Sequence, residues 1–184
     1  MQPFEKIILG IDPGTSMMGY GVVGINAKQM TLVATGIINL SKIEGHDQKL
    51  KNIFSKTLSL IDEFNPHILA VEAPFYGKNI QSMLKLGRAQ GVSMAAALYR
   101  DLPIQEYSPR KIKQSITGNG NASKEQVAAM LQTLLKMEKL PKNLDATDGL
   151  AAAVCCFFQG SNTNSKESYS GWESFLKQHP KRKI

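Results

Sequence analysis

The segment ILAVE at residues 68–72 sets four apolar residues in a row and then a glutamate. A strand with one wet face alternates apolar and polar residues, so an unbroken apolar run belongs to a central strand covered on both faces. The chain must therefore fold as a sheet with helices on either side. We place this strand over residues 67–75, HILAVEAPF.

The rest of the pattern fits that frame. KIILGI at residues 6–11 reads as a buried strand, and GYGVVGIN at 19–26 and MTLVATGIINL at 30–40 read as two more, an opening three-stranded meander. Leu50, Ile53, Phe54, Leu58 and Ile61 recur at helical spacing between residues 48 and 64, and Asn65-Pro66 ends the pattern, which makes a crossover helix. A long helix follows over about residues 80–100, where Gly87, Gly91 and Ala95 lie on one stripe that suits either a dimer seam or close packing on its own sheet. PIQEYSP at 103–109 is a fifth strand, and the basic stretch PRKIKQSITGNGN leads to a helix opened by Ser123 and Gln126, the pattern of a capping box. Val127, Met130, Leu131, Leu134 and Leu135 form its apolar face, and a last, alanine-rich helix spans about 144–159. This order predicts an α/β fold, a mixed five-stranded sheet flanked by helices. Strand order is not readable from pattern alone.

At 184 residues the chain suits one domain, expected over 1–159. From Gly160 the composition turns to Ser, Asn and Lys and ends PKRKI, so 160–184 reads as a basic, disordered tail in which Trp172 and Phe175 are the notable residues. The formal charge is +7, a surface suited to a polyanion such as nucleic acid. Cys155 and Cys156, the two cysteines, are sequence neighbours with no metal-ligand spacing, which favours a reducing compartment. The longest apolar run, GLAAAVCCFF, is far short of the roughly 20 residues that span a bilayer, so the protein is expected in the cytoplasm and not in a membrane.

Four acids carry the chemistry. Asp12 closes the apolar strand of ILGIDPGTS, Glu72 closes ILAVE, and Asp145 and Asp148 share NLDATDGLAAA. Each has a bland explanation on its own: Asp-Pro-Gly is a turn string, and aspartates suit a first helical turn. Glu72 resists that explanation most, because a long acid after four apolar residues has no solvated face. Asp145 and Asp148, three apart on a helix, share a face. Carboxylates at buried strand ends repel one another and are costly to desolvate, so gathering them demands positive charge. With no His or Cys cluster, the cation implied is a hard, oxygen-preferring one, Mg2+ by default with Mn2+ able to substitute.

In order and spacing, GIDPGTSMMGYGVV, ILAVEAPFYGKNIQSMLKLGRAQGV, EYSPRKIKQSITGNGNASKEQV and LDATDGLAAAV resemble the motifs of bacterial RuvC-type Holliday-junction resolvases. The resemblance spans residues 6–159 and implies a ribonuclease-H-like fold. It also implies that Asp12, Glu72, Asp145 and Asp148 are catalytic and hold two Mg2+ ions, that Lys113 and Lys124 are catalytic cations, and that Phe75 contacts the junction. The remaining basic residues of that stretch, Lys78, Lys85, Arg88, Arg110 and Lys111, are the candidates for following DNA backbones. The activity implied is resolution of four-way DNA junctions by paired symmetric nicks, performed by a homodimer that works with the branch-migration proteins RuvA and RuvB.

Three other classes share parts of the pattern. An actin-like kinase or ATPase uses D-x-G-T after a strand to cradle phosphate, here through Gly14 and Thr15, but needs two such domains. A junction-binding module without activity has no use for all four acids. A related RNA-processing nuclease of the same fold differs in substrate alone.

Overall fold

The computed structural model describes residues 4–74, 79–141 and 143–161. Phe75, Lys78 and residues 162–184, with Trp172 and Phe175, lie outside the described residues. Five strands, β1 (Lys6–Asp12), β2 (Met17–Asn26), β3 (Gln29–Asn39), β4 (Ile68–Glu72) and β5 (Ile104–Tyr107), form one sheet in the order β3-β2-β1-β4-β5. The meander β1-β2-β3 is antiparallel, whereas β4 and β5 run parallel to β1. Among the described residues five helices cover it: α1 (His46–Phe64), α2 (Ile80–Leu98), α3 (Pro109–Thr117), α4 (Lys124–Leu134) and α5 (Asp145–Ser161).

Strand alternation divides the core in two. Leu9 and Ile11 of β1 and Leu69 and Val71 of β4 point to one face, where they meet Ile53, Leu60 and Ile61 of α1 and Ala89 and Ala97 of α2. Ile8 and Ala70 point to the other, where they meet Ile112 and Ile116 of α3, Val127 and Leu131 of α4, and Leu150 to Val154 of α5. The period of two carries on along each strand. Asp12, two residues past Gly10, and Glu72, two past Ala70, therefore both turn toward the α5 face.

Glycine lets α5 settle on that face at backbone distance. A Cβ on Gly10 would lie 2.1 Å from the Gly149 carbonyl oxygen, and one on Gly19 would lie 2.0 Å from the Asp145 carbonyl oxygen. Neither site tolerates a side chain without moving the helix. Thr35, in the middle of β3, then ties down the first turn: its hydroxyl lies 2.9 Å from the Ala146 carbonyl oxygen, to which it donates.

Four expectations need correction. The basic stretch after β5 is itself a helix, α3, with Ser108 capping at the Lys111 amide and Pro109 in its first turn, so β5 stops at Tyr107 instead of running to Pro109. Strand β4 likewise ends at Glu72, because Ala73 and Pro74 leave the ladder. Met130 is 39% exposed and not part of the buried face of α4, which rests on Val127, Ala128 and Leu131. On α2 the packing side is Ala89, Gln90, Ser93, Ala96 and Ala97, so Gly87, Gly91 and Ala95 do not pack on the sheet; Gly87 and Gly91 face open space.

Candidate active site

Asp12 and Glu72 sit at the carboxy ends of neighbouring parallel strands, each one residue beyond the paired Ile11 and Val71. Open α/β sheets hold ligands at such ends. Facing them is the first turn of α5, which carries Asp145 and Asp148. Lys124, the first residue of α4, comes in from the side, held by the capping box in which Ser123 Oγ accepts from the Gln126 amide and Gln126 Oε1 accepts from the Ser123 amide. Asp12, Glu72, Asp148, Lys113 and Lys124 line one cavity of about 290 Å³, its apolar wall made by Pro109, Ile112, Val127 and Ala151.

Lys124 Nζ donates to Asp148 Oδ2 at 2.6 Å and to Asp145 Oδ1 at 3.3 Å, which brings Asp145 to the rim of the cavity. No three of the described Asp, Glu, His and Cys residues converge tightly enough to hold an ion as they stand. Among the described residues the positive charge facing the acids comes from Lys124, which bonds two of them, and Lys113 in the cavity wall.

The electrostatics show how much charge the pocket needs. Burial, then the nearby Asp12 and Asp148, pushes Glu72 up to about 8, against the pull of Lys124 and Lys113. Burial, then Asp148, pushes Asp12 up to about 6. Asp148 is raised as well: its own burial outweighs the Lys124 hydrogen bond, even though the same pair holds Lys124 above the usual lysine range. Oxygen-only donors that the ammonium groups of Lys124 and Lys113 leave under-compensated fit a hard divalent cation in charge and chemistry.

The other basic candidates stand apart. Lys85 lines a separate cleft with Thr15, His46 and Lys49, and Arg88, Arg110 and Lys111 are exposed on α2 and α3, outside the acidic cavity. Gln90, which sequence reasoning passed over, is buried beside the strand ends; its signal is a long polar side chain on the helix face shared by Ser93 and Ala97.

The family described as "Crossover junction endodeoxyribonuclease RuvC" matches residues 8–156, which takes in all four acids and both lysines of the cavity. The chain belongs to the RuvC family. Two relatives bear the same description: that of Christiangramia forsetii is 60% identical over 178 residues, 97% of this chain and 93% of its own length. That of Bacteroides fragilis is 57% identical over 180 residues, covering 97% and 96%. A solved structure described as "T. thermophilus RuvC in complex with Holliday junction substrate" shares the fold with a TM-score of 0.79 at 30% identity, covering 85% of this chain and 95% of that one. The ribonuclease-H-like fold and the endonuclease identity of the RuvC family thus apply to this chain.

Proposed function

We propose that this chain resolves four-way DNA junctions in recombination and repair, as a Mg2+-dependent endonuclease that cuts two symmetric strands. The observation that carries the reading is one cavity in which strand-end acids, the acidic turn of α5 and the lysines of α3 and α4 meet. Asp12, Glu72, Asp145 and Asp148 would hold two ions, with Mn2+ able to substitute. Bound there, the ions would supply Lewis-acid stabilisation of the attacking and leaving oxygens of phosphodiester hydrolysis. Lys113 and Lys124 would neutralise charge building on the phosphate, a role for which Lys124 must leave its carboxylate partners. Phe75, three residues past Glu72 in sequence, would stack on a base at the branch point, and Lys78 would follow a DNA backbone. Lys85, Arg88, Arg110 and Lys111 would follow the arms.

Paired cuts need paired sites, and a junction's near two-fold symmetry suits a homodimer. What supports a seam along α2 is its outer stripe: Ile80, Leu84 and Leu98 are 70%, 51% and 63% exposed, and Gly87 and Gly91 between them leave room for another backbone. The relatives' family identity supports RuvA and RuvB as the partners that present the junction. Two buried free cysteines support a reducing, cytoplasmic setting, and among the described residues no helix is long and apolar enough to cross a membrane.

The test is a synthetic junction incubated with Mg2+. Paired nicks by the wild type, their loss on chelation and in Asp12→Asn, and retained binding by that variant are expected. Undiminished cutting by Asp12→Asn would overturn the assignment.

A further inference from the structure

The strand ends that carry Asp12 and Glu72 separate two cavities. On the far side from α5, toward α2, lies a second one of about 280 Å³ that shares Asp12, Glu72 and Pro109 with the first. Its character is different. Among the described residues no lysine lines it, and Pro13, Ala73, Pro74 and Leu86 give it largely apolar walls around the amide of Gln90.

Gln90 is only 9% exposed, and its Nε2 donates to Glu106 Oε2 at 2.8 Å. A carboxylate can only accept, so this bond fixes which way the amide lies. One N–H of the amino group is taken by Glu106, which points Oε1 the other way, and among the described residues no donor reaches Oε1. Strand alternation explains why Glu106 is available: Ile104 packs on the α1 and α2 face, and Glu106, two residues on, turns the same way.

We infer that this second cavity receives a nucleobase flanking the scissile phosphate, with the Gln90 Oε1 accepting a hydrogen bond from an amino or imino N–H on the edge of that base. The inference rests on the junction-cutting reading above. Beyond the two acids it shares with the first cavity, its described lining offers a phosphate no cation, whereas a neutral ring fits flat apolar walls with one oriented acceptor. A nucleotide whose phosphate lies in the acidic cavity has its neighbouring base within reach of the other side of the same strand ends. Bases at a branch point are already unpaired or weakly stacked, so moving one into a pocket takes less energy than from continuous duplex. A buried, oriented amide discriminates between bases because the wrong edge leaves it without a partner.

The experiment is a panel of synthetic junctions that carry each of the four bases at each nucleotide flanking the cut, scored by kcat/KM with Mg2+. For the wild type, one flanking position should show a preference of about tenfold or more. In Gln90→Leu that preference should shrink to within about threefold, while the best junction is still cut. Glu106→Lys is a second variant at an exposed position. Its ammonium can only donate, which draws Oε1 toward residue 106 and offers Nε2 to the base, so the rank order of bases should change. A flat wild-type profile, or one that both variants reproduce, overturns the inference while leaving junction cutting in place. A wild type that cuts no junction takes down the parent reading and this one with it.

Discussion

The Lys124 ammonium lies 2.6 Å from the Asp148 carboxylate, a pairing in which the lysine side chain is 51% exposed and the aspartate only 17%. On the proposed reading the lysine stands in for a metal ion, and metal and lysine would compete for the same oxygen atoms.

That competition is measurable. Lys124→Ala should lower the melting temperature in chelator by roughly 2–4 °C, the equivalent of about 1 kcal/mol for a chain of this size. Saturating Mg2+ should close the gap, because the ion replaces the missing charge. Calorimetry with and without Mg2+ checks this, and a gap that Mg2+ leaves untouched would count against the stand-in role. Cleavage by the same variant should fall by about a hundredfold or more.

Neutralising Glu72 separates stability from activity. Glu72→Gln removes a carboxylate that burial and two neighbouring acids disfavour, so the metal-free protein should be at least as stable as wild type near pH 8 while junction cleavage falls by about a thousandfold. Urea unfolding alongside a cleavage assay decides it.

The same residue sets a pH dependence. Glu72 is held at about 8 in the folded chain against an ordinary 4.5, so between those values the native state keeps a proton that the unfolded state has lost. Stability of the metal-free wild type, taken relative to Glu72→Gln, should therefore fall as pH rises from about 5 and level off above about 8. Ion binding needs the ionised form, so Mg2+ affinity should climb over the same interval. Titration calorimetry across that range would show the climb, and a flat profile would contradict it.

Gly10→Ala should be among the most damaging single changes. The new methyl would meet the Gly149 carbonyl and the Ala153 amide, both backbone, so α5 must shift. A loss of about 2–4 kcal/mol is expected by urea unfolding, with weaker Mg2+ binding as the acidic turn is displaced.

Leu84→Asp, on the outer stripe of α2, should leave the fold intact and yield monomers by sedimentation, with single nicks replacing paired ones. A variant that still sediments as the wild type does would remove α2 as the seam.

Much of the architecture is legible in the chain. Unbroken apolar runs mark β1 and β4, and an acid at the end of each is visible without any coordinates. Helix α3 escaped because its nine residues hold just Ile112 and Ile116 as buried apolar positions amid a basic stretch, although Ser108-Pro109 signalled a start. Strand order depends on pairings between distant segments that periodicity does not encode. The Lys124 to Asp148 contact spans 24 residues, and Gln90 draws its meaning from a carboxylate 16 residues away on another element. Side chains whose partners are remote in sequence stay silent until the chain is folded.

The bond from Thr35 to the Ala146 carbonyl has one last consequence. Helix ends ordinarily fray on their own, yet this one is anchored to the middle of a strand in the meander. Amide protons in the opening turn of α5 should thus exchange with solvent at the pace of the sheet rather than of a terminus, so that heat or denaturant dismantles the acidic cavity in a single cooperative event.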